Sequence, residues 1–212
     1  MEEESLRIRR YEEIPSVEEF SSQIEPKNVP AVFSGCIKNW KAFCNWNPSN
    51  GGLDYLEERV GSSTVEAMLS KSAPVFDGAI RNHERVPLPF STFIGYCWEI
   101  FQNQDNDICL ESERHGLAGS NIDHGGLLSG NAHQQLYLAQ VPIMNVENEE
   151  RNQLERLRED IETPACLKAK SIVSVNLWMN SAQARSSTHY DPHHNLLCLV
   201  TGSKKGLLFL NY

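Results

Sequence analysis

Apolar positions recur along this chain first with a helical period and later with a period of two. Pro15 and Ser16 open a short helix over residues 15–25, with Val17, Phe20 and Ile24 on one face. Residues 29–33 read as a short apolar strand closed by Ser34-Gly35. Trp40, Phe43 and Trp46 follow at spacings of three, a helical turn of core aromatics packed on that strand. Residues 53–60 predict a helix stopped by Gly61, and residues 64–69 a strand. Arg85 to Phe90 is a proline-punctuated extended segment. Ser91-Thr92 then caps an amphipathic helix through Phe93, Ile94, Cys97, Trp98 and Phe101.

Periodicity fades between Gln102 and Gln135, a stretch rich in Gly, Asn, Asp and Ser that reads as disorder or a surface insertion. His115, His124 and His133 lie in it at spacings of nine, which match no metal motif and read as surface histidines. Residues 136–140 predict a strand. Residues 147–161 predict a solvated, highly charged helix with Leu154, Leu157 and Ile161 at helical spacing. From Ser171 the period becomes two. Val173, Val175, Leu177 and Met179 alternate with Ser174, Asn176, Trp178 and Asn180, a strand with one apolar face and one polar, aromatic face. Leu196 to Val200 is continuously apolar, as in a strand buried on both sides. Thr201-Gly202-Ser203 is turn chemistry, so residues 196–210 read as a hairpin.

Composition narrows the classes. The 212 residues, 40 % hydrophobic and 22 % charged, suit an ordinary globular chain of one or two domains. A net charge of -9 argues against direct nucleic-acid binding, which needs a basic surface. Arg7, Arg9 and Arg10 follow Glu2, Glu3 and Glu4, and read as a solvated terminus. No apolar run approaches the roughly 20 residues that span a bilayer, and the N-terminus has no secretory signal pattern. The six cysteines are scattered without a Cys-x-x-Cys pair, as reduced thiols of a nuclear or cytoplasmic protein would be.

The chemistry concentrates at His189-Tyr190-Asp191. On an extended chain, residues two apart leave the same face, so an imidazole and a carboxylate stand side by side. With a third ligand opposite, they would make the 2-His-1-carboxylate triad of non-haem iron(II) oxygenases. The pair alone is a weak signal. Asn176-Leu177-Trp178 before it, Asn195 and the apolar run after it, and Lys204 thirteen residues beyond Asp191 strengthen it. An ammonium at Lys204 could meet a carboxylate of a dicarboxylic co-substrate, whereas Lys205 reads as a solvated turn residue.

These segments resemble the JmjC-domain oxygenases dependent on iron(II) and 2-oxoglutarate, in the small JmjC-only, cupin-8-like group. The resemblance runs from Pro30-Ala31-Val32-Phe33, Trp40 and Trp46, through Tyr137-Leu138-Ala139-Gln140 and Asn176-Leu177-Trp178. It continues through residues 187–195 to Thr201-Gly202-Ser203-Lys204-Lys205. It implies His189 and Asp191 as metal ligands for Fe(II) and Lys204 as the partner of the distal carboxylate of 2-oxoglutarate. It further implies Tyr137, Ser186 and Asn195 as hydrogen-bonding residues for that co-substrate, and Trp178 as an aromatic wall of the pocket. The implied fold is α+β, mainly β: N-terminal helices packed on a double-stranded β-helix of the cupin or jelly-roll kind. Residues 1–135 would form a helical and mixed region, and residues 136–212 the barrel. The implied partner is a protein substrate, a histone tail among the candidates. The implied reaction couples decarboxylation of 2-oxoglutarate to side-chain hydroxylation or N-methyl-lysine demethylation.

The chain departs from the family pattern in one respect. Family members place a second iron histidine several tens of residues beyond the aspartate, whereas here only His193 and His194 follow, both better read as histidines behind the metal or on the surface. Residues 171–212 supply about four strands, where a jelly roll has about eight. The expectation is a truncated or alternatively spliced JmjC chain with an open barrel edge, poorly soluble alone unless a second copy or a partner covers it, and binding iron weakly with two protein ligands instead of three. Two readings stay open: an oxygenase, and a non-catalytic interaction or decoy fragment.

Overall fold

A computed structural model describes residues 8–70, 75–76, 84–114, 135–180, 184–191 and 193–208, with backbone alone for Ser70, Val75, Phe76 and residues 103–114. His115, His124 and His133 lie outside the described residues, as do Phe209 and Leu210. The chain divides into two compact units. One gathers Met1–Tyr55, Arg156–Val173 and Asn195–Tyr212, and the other Leu56–Glu155 and Ser174–His194.

In the first unit, β1 (Arg9–Tyr11) and β2 (Ala31–Phe33) pair in parallel. A parallel pair needs a crossover, and α1 (Val17–Glu19) supplies it with the π-wound turn Phe20–Ile24. The helix begins where the sequence predicts, because the Ser16 hydroxyl accepts the Glu19 N–H at 3.0 Å. Ile24 is buried, and Phe20 and Tyr11 flank Phe33 at ring separations of 6.2 and 5.3 Å. Lys170 reaches Glu25 at 2.6 Å.

The aromatic turn needs correction. α2 (Lys41–Asn45) ends before Trp46, so the spacing of three does not carry one face through all three rings. Trp46 is buried, whereas Phe43 is exposed. α3 (Gly52–Val60) follows as the periodicity predicts. At Gly61, just past its end, only glycine fits, since a Cβ there would lie 2.4 Å from the Glu57 carbonyl oxygen.

The second unit holds a four-stranded antiparallel sheet in the order β5-β3-β6-β7. Its strands are β3 (Thr64–Ser70), β5 (Glu84–Pro89), β6 (Gln135–Asn145) and β7 (Ser174–Met179). Pro87 and Pro89 are tolerated because β5 is an edge strand. Two residues of β4 (Val75–Phe76) pair in parallel with β8 (Arg185–Ser186). Between β5 and β6, α4 (Phe90–Arg114) packs against β3 and β5. Phe90, Phe93, Ile94 and Cys97 form its buried stripe, at the i, i+3, i+4, i+7 spacing of an amphipathic helix; the helix begins at Phe90, so Ser91 and Thr92 lie inside it and do not cap it as the sequence predicts. The helix runs through residues 102–114, where composition suggests irregular chain. No helix among the described residues is long and apolar enough to cross a membrane.

Residues 147–161 are not a solvated α-helix. They wind as 3₁₀ turns, Glu149–Arg151 and Glu155–Asp160, in which residues three apart eclipse one another. Leu154, Leu157 and Asp160 are therefore buried on one side. The architecture is α+β with antiparallel sheet, as the sequence implies.

Candidate functional site

The candidate site is built first from the face that β6 and β7 present. Register pairs Leu138 with Met179 and Val141 with Leu177. Met179 and Leu177 share one face of β7, so Trp178 and Tyr137 share the other. Their rings lie 6.0 Å apart, tilted by 51°. Tyr137 is buried beside Met68, its register partner on β3, and Trp178 is 38 % exposed. Burial pushes the Tyr137 phenol above its usual range. The Leu136 N–H donates to the Tyr96 hydroxyl at 3.2 Å, tying the start of β6 to α4. The sequence-predicted wall residue and co-substrate residue thus stand together.

The second element is the segment after β8. Ser186 ends β8 and is exposed, in register with Phe76. His189 and Asp191 are also exposed, but they lie on irregular chain rather than on a strand, because pairing stops at Ser186. The His189 ring is nevertheless oriented. Its Nδ1–H donates to the Ser187 carbonyl at 2.7 Å, since a carbonyl oxygen can only accept. That hydrogen bond leaves Nε2 as the lone-pair nitrogen, the arrangement of a metal-ligating histidine. An imidazole and, two residues on, a carboxylate are donors of the kind that an iron(II) site takes. Among the described residues, no three His, Cys, Asp or Glu side chains converge closely enough to hold a metal ion.

Asn195 and Lys204 belong to the first unit, on the segment 195–208, and both are exposed. The predicted hairpin over residues 196–210 is absent among the described residues of that segment. They form no strand, although Gly202 at φ 82° makes the expected bend. A short apolar run becomes a strand only with neighbours to pair with, and Leu197 and Leu199 remain exposed instead of buried on both sides. Cys198 on this segment is half-buried, and burial, with Cys36 and Cys166 nearby, pushes its thiol up to about 11.

Two residues escaped sequence reasoning. Asp160 is 3 % exposed and accepts hydrogen bonds from Trp46 Nε1 at 2.9 Å and from the Tyr55 hydroxyl at 2.9 and 3.0 Å. Its signal was the spacing of three from Leu154 and Leu157. Gln140, in the middle of β6, adopts a left-handed φ of 58°. Its signal was a polar residue at an even position between Leu138 and residues that are again buried.

A cupin-like domain matches residues 17–210 of the chain. The chain belongs to this cupin-like family. The lysine-specific demethylase JMJ31 of Arabidopsis thaliana is 52 % identical over 202 residues, which cover 95 % of this cupin-like chain and 36 % of that protein. JmjC domain-containing protein D of Dictyostelium discoideum is 28 % identical over 95 % of the chain and 39 % of its own length. The tRNA wybutosine-synthesizing protein 5 of Gallus gallus is 25 % identical over 91 % of the chain and 52 % of its own length. The domain match and the first two of these relatives bear out the JmjC resemblance, and the chain spans between 36 % and 52 % of the three relatives' lengths.

Proposed function

We propose that this cupin-like chain carries the metal and co-substrate residues of a JmjC oxygenase dependent on iron(II) and 2-oxoglutarate, acting on N-methylated lysine of a protein. The observation that supports it most is the imidazole of His189, held by the Ser187 carbonyl so that Nε2 stays open two residues from the carboxylate of Asp191.

In this proposal His189 Nε2 and Asp191 hold the metal. Iron(II) with 2-oxoglutarate, when bound, would activate dioxygen, the oxidant: one oxygen atom would go to succinate as 2-oxoglutarate loses carbon dioxide, and the other would be inserted into a C–H bond. The Tyr137 hydroxyl donates a hydrogen bond to the co-substrate, with Trp178 screening it from water. Ser186, Asn195 and Lys204 carry their co-substrate roles from the family resemblance alone, Lys204 as counter-charge to the distal carboxylate. Hydroxylation of an N-methyl carbon gives an unstable hemiaminal that releases formaldehyde, which is demethylation.

A cationic protein tail fits the chain better than RNA does. The net charge of -9 attracts basic peptides and repels phosphates, and the 52 %-identical relative is named a lysine-specific demethylase. A nuclear or cytoplasmic location, where histones are made and used, follows from that substrate. The test offers the chain a trimethyl-lysine histone peptide with iron(II) and 2-oxoglutarate, and measures succinate and formaldehyde together. Succinate with formaldehyde supports demethylation. Succinate with a gain of about 16 Da on the peptide and no formaldehyde points to a hydroxylase instead.

A further inference from the structure

β6 contains a phase problem, and the backbone at Gln140 solves it. Residues i and i+4 of a straight strand point to the same face, so Tyr137 and Val141 would have to share one. They do not. Val141 pairs with Leu177 and is buried on the Leu138 face, whereas Tyr137 faces the other way, against Trp178. The register explains how: between Leu138 and Val141, β6 spends three residues where β7 spends two, Met179 to Leu177. One extra residue has been inserted, and the only described non-glycine, non-asparagine residue with a left-handed φ sits at that point. Gln140 is exposed, so the insertion also keeps a carboxamide out of the core.

A glutamine gains nothing from the left-handed region, where a Cβ crowds the carbonyl oxygen. Strained residues that persist inside a regular element mark places where the surrounding structure needs the odd geometry. Here that need is identifiable. Had β6 run straight while keeping Val141 on Leu177, Tyr137 would have turned onto the face of Val141 and Leu138 onto the face of Trp178.

We propose that Gln140 is a positioning residue: its bulge reverses the phase of β6, so that Tyr137 meets Trp178 on the candidate co-substrate face while Val141 stays buried with Leu138 on the opposite face. The consequence for 2-oxoglutarate rests on the function proposed above, whereas the phase reversal does not.

Three variants of the 212-residue chain test this beside the parent: Gln140→Gly, deletion of Gln140, and Gln140→Val. The readouts are the melting temperature, the near-ultraviolet circular dichroism band of Trp178 (identified by its loss in Trp178→Phe), and calorimetric binding of 2-oxoglutarate with manganese(II) as a redox-inert stand-in. Glycine occupies positive φ freely, so Gln140→Gly keeps the band, with a melting temperature equal to the parent or higher. Deletion brings Tyr137 and Val141 to an odd spacing, so a straight strand now serves both faces and the band also survives. Valine is excluded from the left-handed region while the residue count still demands the bulge. Gln140→Val therefore loses the band and roughly tenfold or more in 2-oxoglutarate affinity, and melts roughly 5–10 °C lower.

A deletion variant that loses the Trp178 band, or a valine variant that keeps it, overturns the proposal. If Gln140→Val does not fold, the deletion variant decides alone. If the parent binds no 2-oxoglutarate, the co-substrate role of Tyr137 fails, while the Trp178 band and the order of melting temperatures still judge the phase reversal.

Discussion

Trp46 and Asp160, 114 positions apart in sequence, are joined in the first unit by a buried hydrogen bond of 2.9 Å from the indole Nε1 to Oδ2. The Tyr55 hydroxyl donates to the same carboxylate, so Asp160 ties the end of α2 and the first turn of α3 to the 3₁₀ turn. A buried carboxylate is costly unless donors surround it, and here an indole and a phenol do so. Asp160→Ala leaves both donors without this acceptor and should destabilise the chain by about 3 kcal/mol. Asp160→Asn keeps one acceptor oxygen and should cost about half as much. Urea unfolding followed by tryptophan fluorescence measures both, and equal stabilities for the parent and Asp160→Ala would remove this tie from the account of the fold.

Tyr137 contributes a ring to packing and a hydroxyl to the site, and the two roles separate in Tyr137→Phe. The ring stays against Trp178 and Met68, so the melting temperature should change little. The lost hydroxyl, worth about 1 kcal/mol, should weaken 2-oxoglutarate binding by about five- to tenfold. Calorimetry with manganese(II) present reads the affinity. An unchanged affinity would place the hydroxyl outside the co-substrate site.

Cys198 carries a pH dependence of definite sign. Burial, with Cys36 and Cys166 adding to it, raises its thiol from 9.0 to about 11. Between those values the unfolded thiol has lost its proton while the folded one keeps it, so the folded state binds more protons. Stability is therefore complete below pH 9 and falls as pH rises towards 11. Cys198→Ala should flatten that fall, narrowing its gap to the parent in melts taken from about pH 8 to about pH 11. Iodoacetamide at about pH 8 should also modify exposed Cys44 well before Cys198. Identical alkaline profiles for the two proteins would assign the loss to other groups.

The parts of the fold that periodicity dictates were readable from the chain. The stripe of α4 through Phe93, Ile94 and Cys97, the alternation of β7 and the extended, proline-punctuated run of β5 each express one local rule. Tyr137 and Trp178 were likewise marked by family resemblance before their rings were found together. What stayed hidden depends on other chain segments. A bulge at Gln140 is needed only because Tyr137 and Val141 serve different faces, which no window on β6 reveals. Asp160 reads as one more surface charge until Trp46 and Tyr55 arrive from far away in sequence. Leu196 to Val200 has the composition of a buried strand, yet a strand exists only where partners pair with it.

The central claim is that His189 and Asp191 hold the metal on which 2-oxoglutarate is consumed. Succinate release by the chain with iron(II) and 2-oxoglutarate, compared with His189→Ala and Asp191→Ala, tests it most directly. Release that requires iron(II) and falls to background in both variants is the expected result. No release by the parent at saturating iron(II) and 2-oxoglutarate would contradict the claim for this chain and favour a non-catalytic, interaction role, and release undiminished in His189→Ala would place the metal elsewhere.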